Sequence, residues 1–311
     1  MSARWEEALD AQIDVYKMAT SQMGRAQIES FASRVKQDHS SWDGVDSLFS
    51  GQLPERLATM IFNADPIYID PDMGKLWAAA WPSFEPEPLA ETDLVTPSGC
   101  VLLPYPLDLT DRHGKNTSTR LILWTPAVMA LEREDGKRKP GIVMALFHGT
   151  GDTDDFSVPG ERSVGSYVVQ HVMAWPFGED LRPYEDFEAG ITPTQVLKPL
   201  QCLWRLMSQT IAVRSQERPS RTFRKRAAIA FKDDERRVTV VRLRRTYDDR
   251  PVDHEVGGVE WSHRWIVGGH WRNHWYPSVQ MHRQIWISPF VKGPPDKELI
   301  INKARVFELV R

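Results

Sequence analysis

The spacing of apolar positions changes along the chain from a helical period to a strand-like one. From Trp5 to about Val35, apolar side chains recur every three or four residues, which predicts helix. Leu53–Ala64 and Asp72–Ala80 predict two shorter helices. Asp72 is the expected N-cap of the second, because its carboxylate can accept a free first-turn N–H. Residues 1–95 are therefore predicted to be a mostly helical region.

Strand patterns begin near residue 96, after Pro66 and Pro71, which are interpreted as turns. A helix is predicted over 193–213, with Thr192 as N-cap and Pro193 as first residue, where a missing N–H costs nothing. Short apolar runs before it predict strands at Cys100–Leu107, Thr119–Trp124, Ile142–Phe147 and Tyr167–Trp175. Residues 96–213 are therefore predicted to be a mixed α/β region.

The clearest predicted boundary is residues 214–237, which are rich in Arg and poor in large apolar residues. They predict a basic connector or charged helix, with a flexible arm on a phosphate backbone as the alternative. Residues 238–311 follow as a β-rich module, with strand-like runs at Val238–Arg245, Val259–Val267, His270–Tyr276, His282–Ser288 and Arg305–Val310. The predicted fold class is α+β: a helical N-terminal region, a mixed middle and a small C-terminal antiparallel sheet.

Alternation along the last strands predicts a hairpin with one polar face. On 270–276, the residues His270, Arg272, His274 and Tyr276 share one face. A five-residue loop over 277–281 would set the pairs Tyr276–His282, His274–Gln284 and Arg272–Trp286. In that register the polar side chains of both strands coincide on one face. The other face would be the core, formed by Trp271, Trp275, Ile285 and Ile287.

Charge is distributed unevenly along the chain. Residues 1–213 carry 18 Lys and Arg against 30 Asp and Glu, a net charge of −12; residues 214–311 carry 21 against 12, a net charge of +9. This asymmetry favours either an anionic partner for the second half or attraction between the halves, in which the acidic region would cover the basic module.

Composition and motifs exclude several classes of protein. No apolar run is long enough to span a membrane, and the N-terminus lacks the apolar segment of a signal peptide, so a cytoplasmic location is expected. Cys100 and Cys202 have no zinc or disulfide spacing and are interpreted as buried thiols. Dinucleotide and P-loop motifs are absent. The run around His148 is similar to a hydrolase oxyanion loop, but no Gly-x-Ser-x-Gly elbow follows it. No cofactor and no metal site are predicted.

The candidate chemistry lies in the C-terminal module, where five of the nine histidines fall after residue 250. Imidazoles titrate near neutral pH and can serve as general acid and base, while a guanidinium grips phosphate. His270 and His274, with Arg272, are therefore the candidate catalytic residues of a metal-independent endoribonuclease or toxin acting on RNA or single-stranded DNA. The candidate nucleic-acid-binding residues are Arg264, Tyr276, His282, Arg224, Lys225 and Arg226.

Other interpretations of the same residues stay open. The aromatic, His and Arg cluster is also typical of a purely structural strand pair, and a zinc site from His263, His270 and His274 is a further alternative. In a second functional class, the protein is a non-catalytic adaptor, phage-related or regulatory, that binds a protein partner through the aromatic C-terminal surface. Salt separates the two classes, because binding through phosphates weakens steeply as salt rises.

The C-terminal module also resembles a known group of sequences. It carries a His-Trp-Arg-x-x-Trp-Tyr-Pro-Ser core at His270–Ser278 and a Pro-Phe-Val-Lys-Gly-Pro ending at Pro289–Pro294. These motifs resemble the tail of uncharacterised actinobacterial and phage proteins. The resemblance implies a recurring C-terminal module and assigns no activity to it.

Overall fold

The chain forms an α+β fold with a seven-stranded mixed sheet at its centre. The computed structural model describes residues 4–38, 52–110, 116–130, 138–149, 167–181, 191–244, 262–294 and 297–300. The predicted strand at Arg305–Val310 lies outside the described residues.

Among the described residues, the first three elements are helices and the last five are strands. The helices are α1 (Glu6–Thr20), α2 (Gln22–Asp38), α3 (Leu53–Asn63), α4 (Pro71–Ala80), α5 (Pro193–Met207) and α6 (Arg221–Phe231), with 3-10 turns at Trp81–Ser83 and Glu91–Asp93. The strands of the large sheet are β1 (Asp65–Ile69), β2 (Gly99–Thr110), β3 (Asn116–Ala130), β4 (Arg138–Gly149), β5 (Tyr167–Pro176), β6 (Ala212–Glu217) and β7 (Val238–Leu243). Four short strands follow: β8 (Trp265–Val267), β9 (His270–Tyr276), β10 (Met281–Ile287) and β11 (Phe290–Lys292).

Strand β1 lies near the middle of the sheet, whose order is β5-β4-β3-β2-β1-β7-β6. It pairs in parallel with β2 on one side and β7 on the other, whereas the remaining pairs are antiparallel. The sequence pattern missed this strand and predicted turns there, because three apolar residues between Pro66 and Pro71 are too short a run to identify a strand. The predicted strands that became β2, β3, β4, β5 and β7 are confirmed.

Each face of the sheet is covered by a different set of elements. Helices α1, α2, α3 and α6 bury one face, in a cluster that includes Leu9, Ile13, Leu57 and Phe231. Helices α4 and α5 bury the other face, where Trp124 and Trp204 meet edge to face with ring centroids 5.3 Å apart. The C-terminal strands complete this second cluster through Trp271 and Trp286.

The segment 214–237, predicted as a basic connector or charged helix, contains a charged helix that packs into the body rather than a solvated connector. It supplies most of edge strand β6 and all of helix α6, which packs on α1 and buries Ala227 and Phe231. Arg236 donates to the carbonyls of Phe62 and Ala64, 2.7 Å from each, and so holds the end of α3. Two buried side chains on one helix face and these internal hydrogen bonds make the segment part of the folded body.

Proline and capping chemistry explain where two helices begin. Asp70, not Asp72, caps α4: its carboxylate accepts from the Asp72 amide at 3.1 Å, and Pro71 occupies the first helical position. The predicted N-cap of α5 is confirmed, since the Thr192 hydroxyl accepts from the Gln195 amide at 3.3 Å. Helix α5 ends at Met207 rather than residue 213, because the chain turns there into edge strand β6.

Both cysteines are buried, as predicted from their contexts. Removal of the thiol from water raises the pKa of Cys100 to about 12, and burial raises the pKa of Cys202 as well. None of the helices in the described part of the chain has the length and apolar character needed to cross a bilayer.

The cap assignment predicts unequal effects at two neighbouring aspartates. Asp70→Ala should lower the free energy of unfolding by about 1 kcal/mol, because the first-turn amide loses its acceptor. Asp72→Ala removes an exposed ion pair with Lys75, at 3.5 Å, and should cost less than about 0.5 kcal/mol. Urea denaturation of the two variants measures the difference, and an equal or reversed ranking would contradict the assignment.

Candidate functional site

The four C-terminal strands form one long β-hairpin. Strand β9 pairs with β10, and β8 pairs with β11, both antiparallel. Val267 lies opposite Phe290, and after two residues on each strand His270 lies opposite Ile287, so the register continues without a shift. The C-terminal hairpin therefore runs from Trp265 to Lys292, with strands about 40 Å long at about 3.3 Å per residue.

The break between the two paired parts lies at Gly268 and Gly269, opposite Ser288 and Pro289. A side chain at Gly269 would collide with the indole ring of Trp286, whereas the space around Gly268 is open. Pro289 has no amide to donate to a ladder. Gly269 thus lets the Trp286 ring of the neighbouring strand lie against the backbone.

Trp271, Gln284 and Trp286 attach the inner face of the hairpin to the body. The Trp271 indole donates to the Ala80 carbonyl at 2.9 Å, and its ring lies edge to face with Trp286, 5.4 Å between centroids. Gln284 donates to the Glu85 carbonyl at 2.7 Å. These contacts join the hairpin to the end of α4 and the segment after it.

The predicted hairpin register is wrong by one residue. The loop has four residues, 277–280, with Gln280 in the left-handed region at φ 49°, so Tyr276 lies opposite Met281 instead of His282. A shift of one residue moves every side chain of the second strand to the other face. Ile285 and Ile287, predicted to be core, therefore lie on the outer face, and His282 lies on the inner one.

The outer face combines a polar strand with an aliphatic one. His270, Arg272 and His274 are exposed along β9 and keep the shared face that the sequence predicted. Directly opposite them on β10 lie Ile287, Ile285 and Arg283. The outer face of the hairpin is therefore defined by Ile266, His270, Arg272, His274, Tyr276, Met281, Arg283, Ile285, Ile287 and Val291.

The two candidate catalytic histidines are far apart on this face. Four residues of strand separate their Cα atoms by about 13 Å. The His270 ring nitrogen Nδ1 lies 3.0 Å from the Gly268 carbonyl, and the His274 ring meets Tyr276 edge to face, 4.8 Å between centroids. A general acid and base acting on one phosphate must both lie within hydrogen-bond reach of it. The strand spacing does not bring these two imidazoles together.

The remaining predicted binding residues have separate surroundings. The His282 ring contacts Trp275 across the strands at a tilted angle, 4.9 Å between ring centroids, on the face opposite His270. The Arg264 Nε donates to the Lys297 carbonyl at 2.8 Å, next to an isolated bridge to Leu299. Both side chains take part in local packing and hydrogen bonding of the hairpin.

The basic triplet Arg224, Lys225 and Arg226 lies on helix α6, away from the hairpin and on the other face of the sheet. Arg226 forms ion pairs with Asp10 and Asp14 of α1. Arg224 is half-buried, and Lys225 is exposed. The attraction expected between the acidic and basic halves is thus present at α1 and α6, but it leaves the C-terminal hairpin uncovered by these elements.

The alternative metal site does not assemble in the described part of the chain, where no group of three His, Cys, Asp or Glu side chains could hold an ion. His263 instead lies beside Trp265, with ring centroids 5.8 Å apart. His148 also has a structural environment: it is buried, and its Nδ1 lies 2.9 Å from the Ser118 carbonyl.

Comparisons with known proteins give a fold likeness only. No protein-family model matches the chain, and no curated protein sequence matches it. Among solved structures, the chain is similar to the crystal structure of AcrVA2, with 13% sequence identity and a TM-score of 0.43 over 91% of this chain and 98% of that one. A likeness at this TM-score carries no argument about function.

The two glycines at the break predict a matched pair of outcomes. Gly269→Ala should lower the free energy of unfolding by about 1–3 kcal/mol, because its methyl group would overpack against Trp286. Gly268→Ala should change it by less than about 0.5 kcal/mol. Urea denaturation followed by Trp fluorescence measures both variants. Equal stability of the two would contradict the close packing of the Trp286 ring against Gly269.

Proposed function

We propose that the chain is a non-catalytic adaptor that binds an acidic protein partner through the outer face of its C-terminal hairpin. The observation that carries the proposal is the concentration of exposed apolar side chains on a segment whose charged side chains are all basic. This is the phage-related or regulatory adaptor class that the sequence offered as its second functional class.

Exposed apolar side chains are concentrated in the hairpin region. Of the thirteen large hydrophobic residues that are exposed in the described part of the chain, six lie between residues 262 and 294, a segment that holds only about a seventh of the described residues. Ile266, Met281 and Val291 lie on the outer face, Trp275 and Phe290 on the inner face, and Val279 in the loop. Exposed apolar surface with a polar rim is typical of protein interaction sites.

The charge of the hairpin indicates the chemistry of the partner. Residues 262–294 contain Arg264, Arg272, Arg283 and Lys292, and no Asp or Glu. Arg272 lies on the outer face directly opposite Ile285, so basic and aliphatic side chains alternate over a short distance. A partner segment that carries carboxylates beside aliphatic side chains would match both features, and complementary charge would select it over neutral surfaces.

An aliphatic surface favours a protein over a nucleic acid. Unpaired bases bind by stacking on aromatic rings, whereas the apolar members of the outer face are chiefly Ile, Met and Val. The shared face of His270, Arg272 and His274 supports the endoribonuclease hypothesis, but their strand spacing does not. Nucleic acid is therefore the alternative ligand that the binding experiment must distinguish from a protein partner.

Binding to a defined probe tests the proposal. A fluorescent peptide of alternating Glu and Leu should bind the wild type and keep most of its affinity between 50 and 200 mM salt. The double variant Met281→Ser, Ile285→Ser should bind it at least tenfold more weakly, because aliphatic anchors dominate such interfaces. Fluorescence anisotropy gives the dissociation constants.

Ile229→Ser is the matched control, since Ile229 is 82% exposed on α6 and lies far from the hairpin. It should bind the peptide like the wild type. A single-stranded RNA of similar length is the second probe. If RNA binds with a steep loss of affinity as salt rises and the peptide does not bind, the nucleic-acid interpretation replaces the adaptor.

A cleavage assay tests catalysis directly. Labelled total RNA and single-stranded DNA should remain intact with the wild type in EDTA, because the strand spacing of His270 and His274 does not place them as an acid–base pair on one phosphate. Cleavage that survives EDTA and disappears in His270→Ala would contradict the adaptor proposal and assign a metal-independent nuclease to this face.

A further inference from the structure

A cavity of about 210 Å³ lies where the C-terminal hairpin meets the body. Its walls come from α5, β6, β10 and the segment around Glu91–Asp93. At about 30 Å³ per water molecule in the liquid, this volume is equivalent to about seven waters. The cavity is thus large enough for a carboxylate or phosphate group together with part of its carrier.

The floor of the cavity is held by Arg205. This side chain is 11% exposed and contacts Glu87 at 3.2 Å and Asp93 at 3.6 Å. Gln201 fixes the same segment, because its side chain donates to the Glu87 carbonyl at 2.9 Å and accepts from the Glu87 amide at 3.3 Å. Both carboxylates that line the cavity are therefore already paired with the Arg205 guanidinium.

Two further arginines line the cavity from different elements: Arg214 from β6 and Arg283 from β10. In the described part of the chain, neither forms an ion pair with a carboxylate, and the Arg283 Nε donates only to the Met281 sulfur, at 3.2 Å. Three guanidinium groups against two carboxylates leave the cavity with an excess of one positive charge.

We propose that this cavity is a binding site for a small oxyanion, a carboxylate or phosphate group held between Arg214 and Arg283. Guanidinium groups bind such anions through two parallel N–H donors, a geometry that a point charge cannot provide. The carboxylates of Glu87 and Asp93 do not favour binding of a cation, since both are already paired with Arg205. Arg283 also belongs to the outer face of the hairpin, whereas Arg214 lies on a strand of the large sheet.

Bound anion would also connect two parts of the fold. Arg283 belongs to the hairpin and Arg214 to the edge of the large sheet, and the neighbouring Gln209 side chain already accepts from the Trp286 amide at 2.9 Å. An oxyanion between the two arginines adds a second link beside this hydrogen bond. Ligand binding therefore stabilises the attachment of the hairpin to the body.

Calorimetric titration with two probes, inorganic phosphate and glutarate, tests the site on the full chain at low ionic strength. We expect one of them to saturate with a dissociation constant in the micromolar to millimolar range. Arg214→Gln and Arg283→Gln should each weaken binding about tenfold, because each removes a charged hydrogen-bond donor. Saturation by phosphate alone assigns a phosphate ligand; saturation by glutarate alone assigns a carboxylate ligand.

Arg221→Gln is the matched control, since Arg221 is exposed on α6, on the other face of the sheet. It should bind the probe with wild-type affinity. Near-ultraviolet circular dichroism of the Trp271–Trp286 pair checks that the hairpin stays attached in each variant. If Arg283→Gln disturbs the attachment of the hairpin, the affinity of the Arg214→Gln variant, which changes a separate strand, tests the site alone. No saturation by either probe, or equal binding by the Arg214→Gln variant, would overturn the proposal.

Discussion

The fold depends on burying both faces of strand β1. Its five residues pair in parallel with β2 and β7, and parallel neighbours require long connections that cross the sheet. Ile67 and Ile69 face one core cluster and Tyr68 the other, so neither face can remain open to water. The N-terminal helices with α6 cover one side, and α4 with α5 covers the other. Residues from both ends of the chain thus meet in one body.

The C-terminal hairpin has two roles because its strands are amphipathic. Its inner face supplies Trp271 and Trp286 to the second core cluster, and the polar groups beside them bond to the segment after α4. This attachment leaves the outer face of the same strands exposed, with aliphatic side chains opposite basic and imidazole groups. A surface held by the core of the protein can present apolar side chains to a partner without first being ordered, which lowers the cost of binding.

The basic excess of the second half divides into two parts with different physical roles. Arg226 and Arg236 are bonded within the body, Arg226 to carboxylates of α1 and Arg236 to carbonyls at the end of α3. Arg214 at the edge of the cavity and the arginines of the hairpin have no such carboxylate partners among the described residues. Net charge by sequence segment cannot separate these groups, because ion pairs form between residues that are distant in the chain.

The sequence by itself determined the α+β class, the strands of the large sheet outside β1 and β6, the N-cap of α5 and the concentration of His, Arg and Trp in the hairpin. These features follow from local periodicity, capping chemistry and composition, which need only neighbouring residues. Tertiary structure alone decided that β1 is a central strand, that residues 214–237 belong to the body, and that β10 turns Ile285 and Ile287 outward. The first two depend on partners that are distant in the chain. The third depends on whether the hairpin loop has four or five residues, because a register shift of one residue exchanges the two faces of a strand.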